Sequence, residues 1–418
     1  MTDNVADRLA PSHQLQRISA RLEAMLSSAL SKRIDEVRIA ERPALEQLAR
    51  DIHANPELRF EEHKAAAWIA ELLRSRGFEV ATGLGGMPTA LRARAGITGG
   101  PRVAILAEYD ALPEIGHACG HNLIAAAGVG AFLAAASVAA DAGGEVVLLG
   151  TPAEEGGGGK IKLIEAGAFE GFDAAMMFHP FDRDILAHPA LASFWYTFKF
   201  SGRPAHAAAA PHAGCSALTA CLDALRLIDG QRVHMRDGVR VHGIVRDGGQ
   251  AVNIIPERAS CEVNVRAPDS AELARVRAIV ERCARGAAMA SDVSVEIEVR
   301  QGYLNMVNNM TLARAFGQHV RVDGRTPRET DARVGAGSTD MGDVSHVVPS
   351  IHPYLAVVDE GETQIHEHAF AHAAASARGM NTFSDAAGAM AKTAIELIAD
   401  SELRARTLAE WRAATGRQ

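Results

Sequence analysis

The chain has 418 residues, of which 48% are hydrophobic and 22% charged, and its formal net charge is −8. That length favours two domains over a single hydrophobic core. The acidic balance argues against a nucleic-acid binder and against a polybasic membrane anchor, because both need an excess of basic side chains.

The cysteines and the apolar runs indicate the compartment. Five cysteines are scattered along the chain without a CxxC pair, which is typical of a reducing compartment rather than a disulfide framework. The stretch MTDNVADRLAPSHQLQ lacks the apolar core of a signal peptide. The longest apolar run, residues 123–140, consists mostly of Ala and Gly and predicts a buried helix rather than a membrane span. These features predict a cytoplasmic protein.

In chain order, the first predicted elements are two helices. Apolar residues recur at helical spacing over residues 15–55, and Pro56 marks the end of that helix. The stretch HKAAAWIAELLRSRG predicts a second helix that ends at Gly77 and is followed by a strand.

Three apolar strands come next, and each ends in side chains that can bind a metal or move a proton. These side chains are Glu108 and Asp110 after RVAILA, Glu154 and Glu155 after GEVVLLGTPA, and His179 after FDAAMMF. Alternation of strand, loop and helix predicts an α/β domain with a mostly parallel sheet flanked by helices. Such sheets bind ligands at the carboxyl ends of their strands, so the three strand ends together predict a site.

The pattern changes near residue 191. ASFWYTFKFSG alternates apolar and polar residues, as a half-exposed antiparallel strand does. The order strand–helix–strand–strand–helix–strand that follows predicts a small ferredoxin-like α+β domain inserted into the first. We therefore predict a catalytic domain made of residues 1–190 and 305–418, with residues 191–304 inserted. The chain is predicted to end in a long Ala-rich helix from about Thr382.

The motif HACGHN combines good zinc ligands, since a thiolate and an imidazole can turn toward one ion across a single glycine. Cys119 and His121 form this pair, and His117 is a third candidate. The triplet by itself is more typical of a turn at a helix start with incidental side chains. The adjacent carboxylates Glu154 and Glu155 point in different directions, so that one can bind a metal while the other serves as a general base.

Three later stretches carry further candidates. His206 lies among small residues in SGRPAHAAAAPH, which would let a substrate or another subunit approach closely, and His212 is a competitor. Residues 335–345, GAGSTDMGDVS, either bind a substrate carboxylate through Ser338, Thr339 and backbone amides or start a capped helix. His366 and His368 lie near the end, in QIHEHAF, a stretch that taken alone predicts surface positions for both.

Seven motifs in a fixed order then suggest a family: AEYDALPEIGHACGHN, GTPAEEGGGGK, MMFHP, SGRPAHAAAAP, AVNIIPERA, GSTDMGDVS and IHEHAF. Together they resemble the metallopeptidase family that contains aminoacylases, glutamate carboxypeptidases and indole-acetyl-amino-acid hydrolases. The chain is most similar to the branch with aminobenzoyl-glutamate hydrolase and the aminoacylase-like dipeptidases. The resemblance covers nearly the whole chain after about Leu45.

The resemblance implies a role for individual residues. A two-metal site would be formed by Cys119, His121, Glu155, His179 and His366, with Cys119 in the bridging position that an aspartate holds in other relatives. Glu154 would be the general base, and Asp110 would orient a metal ligand. His206 would be the lid histidine that polarises the scissile carbonyl, typically from the partner subunit, and Asn253 and Arg266 would contact substrate.

Two positions need a choice between neighbours. Many relatives carry a histidine or an aspartate two residues before Asp110, whereas this chain has Glu108, which we do not count as a ligand. His366 is preferred to His368 because its spacing to Phe370 resembles the closing motif of the family.

The implied function is hydrolysis of the amide bond in an N-acyl amino acid or a dipeptide-like small molecule. Metal-activated water would be the nucleophile and a glutamate the general base, with two divalent ions per subunit (zinc or manganese, with cobalt as a further option). The inserted domain would act as a lid and would join a homodimer. One alternative is an aminohydrolase that releases ammonia from a small amine, aromatic ones included. Another is a non-catalytic subunit of a heteromeric hydrolase, although retention of Glu154 and all five ligands argues against it.

Overall fold

The computed structural model describes the backbone of residues 13–300, 302–332 and 336–417, and the side chains within these ranges from residue 28 onward. The helices are α1 (His13–Ala54), α2 (His63–Ser75), α3 (His121–Ala136), α4 (Ala139–Ala142), α5 (Gly159–Glu165), α6 (Ala217–Gln231), α7 (Ser270–Ala290), α8 (Met310–Val322), α9 (Met341–Ser345), α10 (His368–Ala373), α11 (Ala377–Ala399) and α12 (Ser401–Thr415). The strands are β1 (Val80–Thr82), β2 (Leu91–Gly96), β3 (Arg102–Ala107), β4 (Glu145–Gly150), β5 (Ala174–Met176), β6 (His179–Phe181), β7 (Ala192–Ser201), β8 (Arg240–Asp247), β9 (Arg258–Ala267), β10 (Ser294–Arg300), β11 (Ser350–Ile351) and β12 (Tyr354–Ala356).

The main sheet has six strands in the order β1-β2-β4-β3-β5-β11. The pairs β3–β4, β3–β5 and β5–β11 are parallel, whereas β1–β2 and β2–β4 are antiparallel. All of β4 and β5 and nearly all of β3 is buried, because helices cover these central strands. Burial on both faces requires the continuous apolar runs seen in the sequence. The sheet confirms the predicted α/β class with mostly parallel pairing.

Helix α3 forms the centre of this core and contacts β3, α1 and α11. Every residue from His121 to Ala135 is buried, which explains the run of small apolar residues. A Cβ at Gly128 would lie 2.6 Å from the Leu106 carbonyl oxygen, so a glycine is needed where the helix crosses the sheet. The prediction of a buried helix here is confirmed. Of the helices in the described residues, none combines the length and the apolar character needed to cross a membrane.

A separate four-stranded antiparallel sheet, β10-β7-β9-β8, lies between β6 and α8 in the chain. We call residues 192–300 the inserted unit. Helices α6 and α7 pack on one face of its sheet and enclose a second hydrophobic core. The alternating burial of β7 follows from having one covered and one open face. This order of elements and strands is the predicted ferredoxin-like arrangement, while the exact domain bounds stay a prediction.

The chain crosses between the main body and the inserted unit twice, and the two crossings are hydrogen-bonded to each other. The Ser193 amide donates to the Tyr303 carbonyl oxygen at 2.8 Å, and the Met306 amide donates to the Ala190 carbonyl oxygen at 3.0 Å. Gly302 is required here, because a Cβ would lie 1.9 Å from the Ser193 carbonyl oxygen. The two crossing segments therefore lie side by side and are joined by backbone hydrogen bonds.

One local prediction is confirmed and one needs correction. His179 follows β5 as predicted, and it also begins β6, which pairs in parallel with β12 and sets Tyr354 opposite His179. The predicted C-terminal helix is two helices, α11 and α12. They part at Asp400, whose side chain accepts hydrogen bonds from the amides of Glu402 and Leu403 and so caps α12.

Candidate functional site

The ends of β3, β4 and β5 lie next to one another in the sheet, and the start of α3 faces them. Gly120 caps α3 in the left-handed region at φ 79. A Cβ at Gly120 would lie 2.5 Å from Pro180 Cγ, so this glycine lets the Cys119–His121 turn pack against the segment that carries His179.

Two groups of potential metal ligands share one cysteine. The ligand atoms of Cys119, His121 and His179 lie within 4.8 Å of one another, and so do those of Cys119, Glu155 and His366. Cys119 Sγ is 3.4 Å from His179 Nε2, and His366 Nε2 is 3.2 Å from Glu155 Oε1. A third group joins the carboxylates of Glu154 and Glu155 to His121. A cysteine shared by two candidate ligand groups would suit a pair of neighbouring cations.

Two polar atoms at this centre have no hydrogen-bond partner among the described residues. His121 Nε2 and Glu155 Oε1 are buried and have no hydrogen bond from the described residues. Such buried atoms carry a desolvation cost unless a ligand satisfies them. The donor set of thiolate, imidazole and carboxylate suits zinc and related divalent ions. The residues therefore fit the metal pair that the sequence resemblance implies.

The electrostatics of the isolated protein point the same way. Burial raises the pKa of the Cys119 thiol well above its usual value, and the Glu155 carboxylate raises it further. Burial also raises the pKa of Glu154, with added repulsion from Glu155 and Glu108. Burial lowers the pKa of His179 to about 3, which leaves its imidazole neutral. A neutral imidazole beside crowded acidic groups is ready to accept cations.

Asp110 connects the two ligand groups. Its Oδ1 lies 3.0 Å from His121 Nδ1, and its Oδ2 accepts a hydrogen bond from the Glu155 amide at 2.9 Å. The Asp110 carbonyl oxygen is 2.9 Å from the same imidazole nitrogen. Burial alone would raise the pKa of this carboxyl, but the His121 ring outweighs it and the pKa is lowered. Asp110 thereby turns the unpartnered His121 Nε2 toward Cys119.

Glu154 is buried on a strained turn after β4. The preceding residue, Ala153, has a φ of 61, in the left-handed region that side chains with a Cβ rarely adopt. Two contacts hold the turn: the Ala153 amide donates to Glu62 Oε1 at 2.9 Å, and the Tyr303 hydroxyl donates to the Glu154 carbonyl oxygen at 2.6 Å. The Glu154 carboxylate lies beside the ligand groups, where it can meet a reacting molecule.

Lys160 is fully buried beside this centre, and the sequence reasoning did not single it out. Its ammonium donates to Glu108 and, at 2.6 Å, to Asp340 Oδ1. Glu108 Oε2 in turn lies 3.5 Å from His121 Nε2. Glu108 is thus paired with a lysine, in line with leaving it out of the ligand set. The one signal for Lys160 was a lysine directly after a run of glycines that follows two glutamates.

The structure separates the two late histidines. His366 has a left-handed backbone at φ 70, and its amide donates to the Ala118 carbonyl oxygen at 2.9 Å, next to Cys119. Both side chains are exposed, but His368, at the start of α10, belongs to none of the ligand groups found in the described residues. His117 is buried near His53, with ring centroids 6.2 Å apart, and within the described part of the chain it lies outside the ligand groups as well.

The predicted substrate contacts in the inserted unit are spread over its surface. His206 is exposed, and its Nδ1 accepts hydrogen bonds from the amides of Ala208 and Ala209 rather than reaching the metal ligands. Asn253 is exposed as well. Arg266 lines a cleft of about 940 Å³ between the open face of the β8–β9 sheet and residues 332 and 336 of the main body.

Residues 335–345 were predicted either to bind a substrate carboxylate or to start a capped helix, and the described residues contain features of both. Gly335 lies outside the described residues. Thr339 Oγ1 accepts a hydrogen bond from the Met341 amide at 3.2 Å, as in a capped start of α9. Ser338 Oγ is buried and has no hydrogen-bond partner in the described part of the chain, which suits a ligand contact. Asp340 faces Lys160, and Asp343 accepts from the Leu304 amide at 3.1 Å.

Comparisons with known proteins show the family and the fold of this chain. A model of Peptidase family M20/M25/M40 matches residues 104–388. The chain is 40% identical over 396 residues to the Xaa-Arg dipeptidase of Mus musculus, covering 91% of this chain and 90% of that protein. It is 37% identical over 390 residues to the Xaa-Arg dipeptidase of Homo sapiens, covering 88% of this chain and 88% of that protein. The crystal structure of the Bacillus subtilis YXEP protein, a dinuclear metal-binding peptidase, superposes with a TM-score of 0.67 at 21% identity, covering 86% of this chain and 99% of that one.

Proposed function

The chain belongs to Peptidase family M20/M25/M40, and from that membership we propose a two-metal amidohydrolase that cleaves N-acyl amino acids or dipeptides. The observation that carries the proposal is the pair of ligand groups that share Cys119 directly beside the carboxylate of Glu154. Amide hydrolysis needs an activated water, a proton acceptor and stabilisation of an oxyanion, and this centre brings suitable groups together.

The proposed ligands are His121 and His179 on one side of Cys119, and Glu155 and His366 on the other. When bound, the two cations would supply an acidified water and positive charge for the developing oxyanion. Zinc is favoured by the thiolate, while the carboxylate and imidazole donors also suit manganese, with cobalt a further option. Asp110 keeps the proton on His121 Nδ1, so that Nε2 is free to bind.

Glu154 is the proposed general base. Its carboxylate takes the proton of the attacking water and returns it to the nitrogen of the leaving amine. Burial and the neighbouring carboxylates raise the pKa of Glu154, which favours uptake of a proton by its carboxylate.

The substrate carboxylate is proposed to bind in the cleft of the inserted unit. Arg266 pairs in register with Arg240 on the neighbouring strand, and both line the cleft. Neither has a carboxylate partner among the described residues, whereas Arg246 in the same cleft pairs with Glu262 at 2.8 Å. Unneutralised arginines that face each other favour an anionic ligand. Asn253, Ser338 and Thr339 are proposed as further substrate contacts.

A homodimer through the inserted domain, predicted as residues 191–304, forms the second part of the proposal. Strand β8 is an edge strand of its sheet and exposes Ile244 and Val245, and Val252 and Ile254 are exposed in the segment that follows. In the opposite edge strand, β10, apolar residues alternate with charged ones, and these charges discourage pairing with a strand of another chain. Because His206 makes no contact with the metal ligands of its own chain, we assign it to the site of the partner subunit, where it would polarise the scissile carbonyl.

A cytoplasmic location completes the proposal. All five cysteines are free, and the Cys119 thiol must stay reduced to bind metal. The acidic net charge of −8 supports a small-molecule substrate rather than nucleic acid.

The deciding experiment measures bound metal and amide hydrolysis for the wild type and Glu154→Gln. The substitution should leave metal content unchanged and lower kcat at least about 100-fold, the usual contribution of a general base. Glu165→Gln, an exposed residue at the end of α5, serves as the matched control. Wild-type protein without divalent metal, or full activity in Glu154→Gln, would refute the proposal.

Product analysis separates the alternatives. An amidohydrolase releases an amino acid in step with substrate loss. Ammonia without an amino acid would identify an aminohydrolase, and no metal-dependent turnover on any amide would identify a non-catalytic subunit.

A further inference from the structure

We propose that Tyr303 is a positioning residue for Glu154, and that it ties the placement of the general base to the crossing between the main body and the inserted unit. The inference rests on the proposed role of Glu154. Tyr303 lies between β10 and α8, outside the sequence motifs that suggested the site. Its hydroxyl donates to the Glu154 carbonyl oxygen at 2.6 Å.

The turn that carries Glu154 needs external support. Ala153 is held in a left-handed conformation, and the residues after Glu155 are four glycines, which impose little conformation of their own. The Glu154 carbonyl oxygen also accepts a hydrogen bond from the Gly156 amide at 2.6 Å within the turn. Tyr303 adds a contact from outside the turn to the peptide of the base itself.

Tyr303 belongs to the second crossing and is held on its other side by the first crossing. Its amide donates to Ser193 Oγ at 3.3 Å, and its carbonyl oxygen accepts from the Ser193 amide. Ser193 belongs to β7, the first strand of the inserted unit. A rotation of that unit about the paired crossings therefore displaces Tyr303, and the hydroxyl carries the displacement to the turn of the base.

The consequence for catalysis is specific. The Tyr303 hydroxyl bonds to the backbone of the base, and Tyr303 is not among the residues that line the cleft. Its loss should misplace the Glu154 carboxylate while leaving substrate binding in place. The metal ligand Glu155 keeps a support of its own, because its amide donates to Asp110 Oδ2 at 2.9 Å. A misplaced base returns the proton to the leaving nitrogen less effectively, so poor leaving groups should suffer most.

The test is Tyr303→Phe, which keeps the ring and removes the hydroxyl. We expect kcat to fall about tenfold with KM within about twofold of the wild type, since the lost interaction acts after binding. The fall in kcat should be larger for substrates that release an alkyl amine, the poorer leaving group, than for those that release an aniline. Metal content should stay at the wild-type value, and the denaturant midpoint should fall only by what the loss of one hydrogen bond costs.

Tyr196→Phe is the matched control, because Tyr196 is a buried tyrosine of the inserted unit whose hydroxyl bonds to Arg277 and Glu281 instead. It should leave kcat and its leaving-group dependence unchanged. The inference is overturned if Tyr303→Phe keeps the wild-type kcat, if both leaving groups slow equally, or if both variants lose kcat alike. An active Glu154→Gln would instead overturn the proposed function, so the two failures are distinguishable.

Discussion

Asp110→Asn should weaken metal binding without touching a ligand atom. Asp110 accepts from two donors at once, the imidazole of His121 at 3.0 Å and the amide of Glu155 at 2.9 Å. An asparagine offers one oxygen and one NH₂ group, so it can serve only one of the two. If its NH₂ faces His121, the imidazole proton moves to Nε2 and blocks the atom proposed to bind metal.

The magnitude follows from the loss of one charge-assisted contact beside a ligand. Such changes lower metal affinity about 10- to 100-fold, or about 1.4 to 2.8 kcal/mol. The Asp110 carbonyl oxygen, 2.9 Å from the same nitrogen, retains part of the tautomer preference and keeps the loss within this range. Activity should recover largely at saturating metal, because the ligands themselves remain.

The assay is competition of apo-protein with a chromophoric chelator, followed by activity against metal concentration. Asp173→Asn provides the control, since Asp173 also accepts a backbone hydrogen bond, from the Arg102 amide at 2.8 Å, but lies at the opposite end of β5. Metal affinity equal to the wild type in Asp110→Asn would show that the orientation of His121 does not depend on this carboxylate.

Three further outcomes are expected. Mixed dimers of Glu154→Gln and His206→Ala subunits should regain about a quarter of the wild-type activity after random reassortment, because one site in each mixed dimer is intact; no recovery would mean that His206 acts within its own chain. Lys160→Met should lower the free energy of unfolding by about 3–5 kcal/mol, since its two acidic partners stay buried and unpaired; urea titration measures this, and a change under about 1 kcal/mol would contradict the buried ion pair. Burial raises the pKa of Asp343 to about 7, so the folded state holds a proton that the unfolded state loses above about pH 4, and stability should fall as pH rises from about 4 to 7. Asp343→Asn should flatten that fall in denaturant midpoints measured across this range, and an unchanged slope would assign the pH dependence to other groups.

Much of the fold was predictable because the relevant signals are local. Burial of β3, β4 and β5 between helices forces continuous apolar runs, and helix periodicity marks α1 and α2, so these elements could be recognised without any knowledge of their neighbours. The strands of the inserted unit, in which apolar and polar residues alternate, could also be recognised from their local pattern. The exceptions are at junctions: Asp400 splits a predicted continuous helix through its capping hydrogen bonds, and His179 begins a short strand because β12, far along the chain, pairs with it.

The family and its reaction class were also predictable, since seven ordered motifs carry the chemistry, and the family match confirms them. The contacts between individual side chains could not be predicted from the sequence. Motif spacing nominates Cys119 and His366, but nothing local places both of them beside the Glu155 carboxylate. The backbone bond from His366 to Ala118, which joins two segments far apart in the sequence, accomplishes this.

By itself, the sequence determined the α/β class and predicted an inserted unit and the candidate metal ligands, because strand periodicity, strand-end chemistry and motif order are all properties of short segments. Only the tertiary structure decided that Cys119 is shared by two ligand groups, that Lys160 neutralises Glu108 and Asp340, and that Tyr303 holds the turn of Glu154. The physical reason is the strand order β1-β2-β4-β3-β5-β11, which differs from chain order and joins segments by burial and hydrogen bonding between distant residues. Such contacts leave no periodic trace in the sequence.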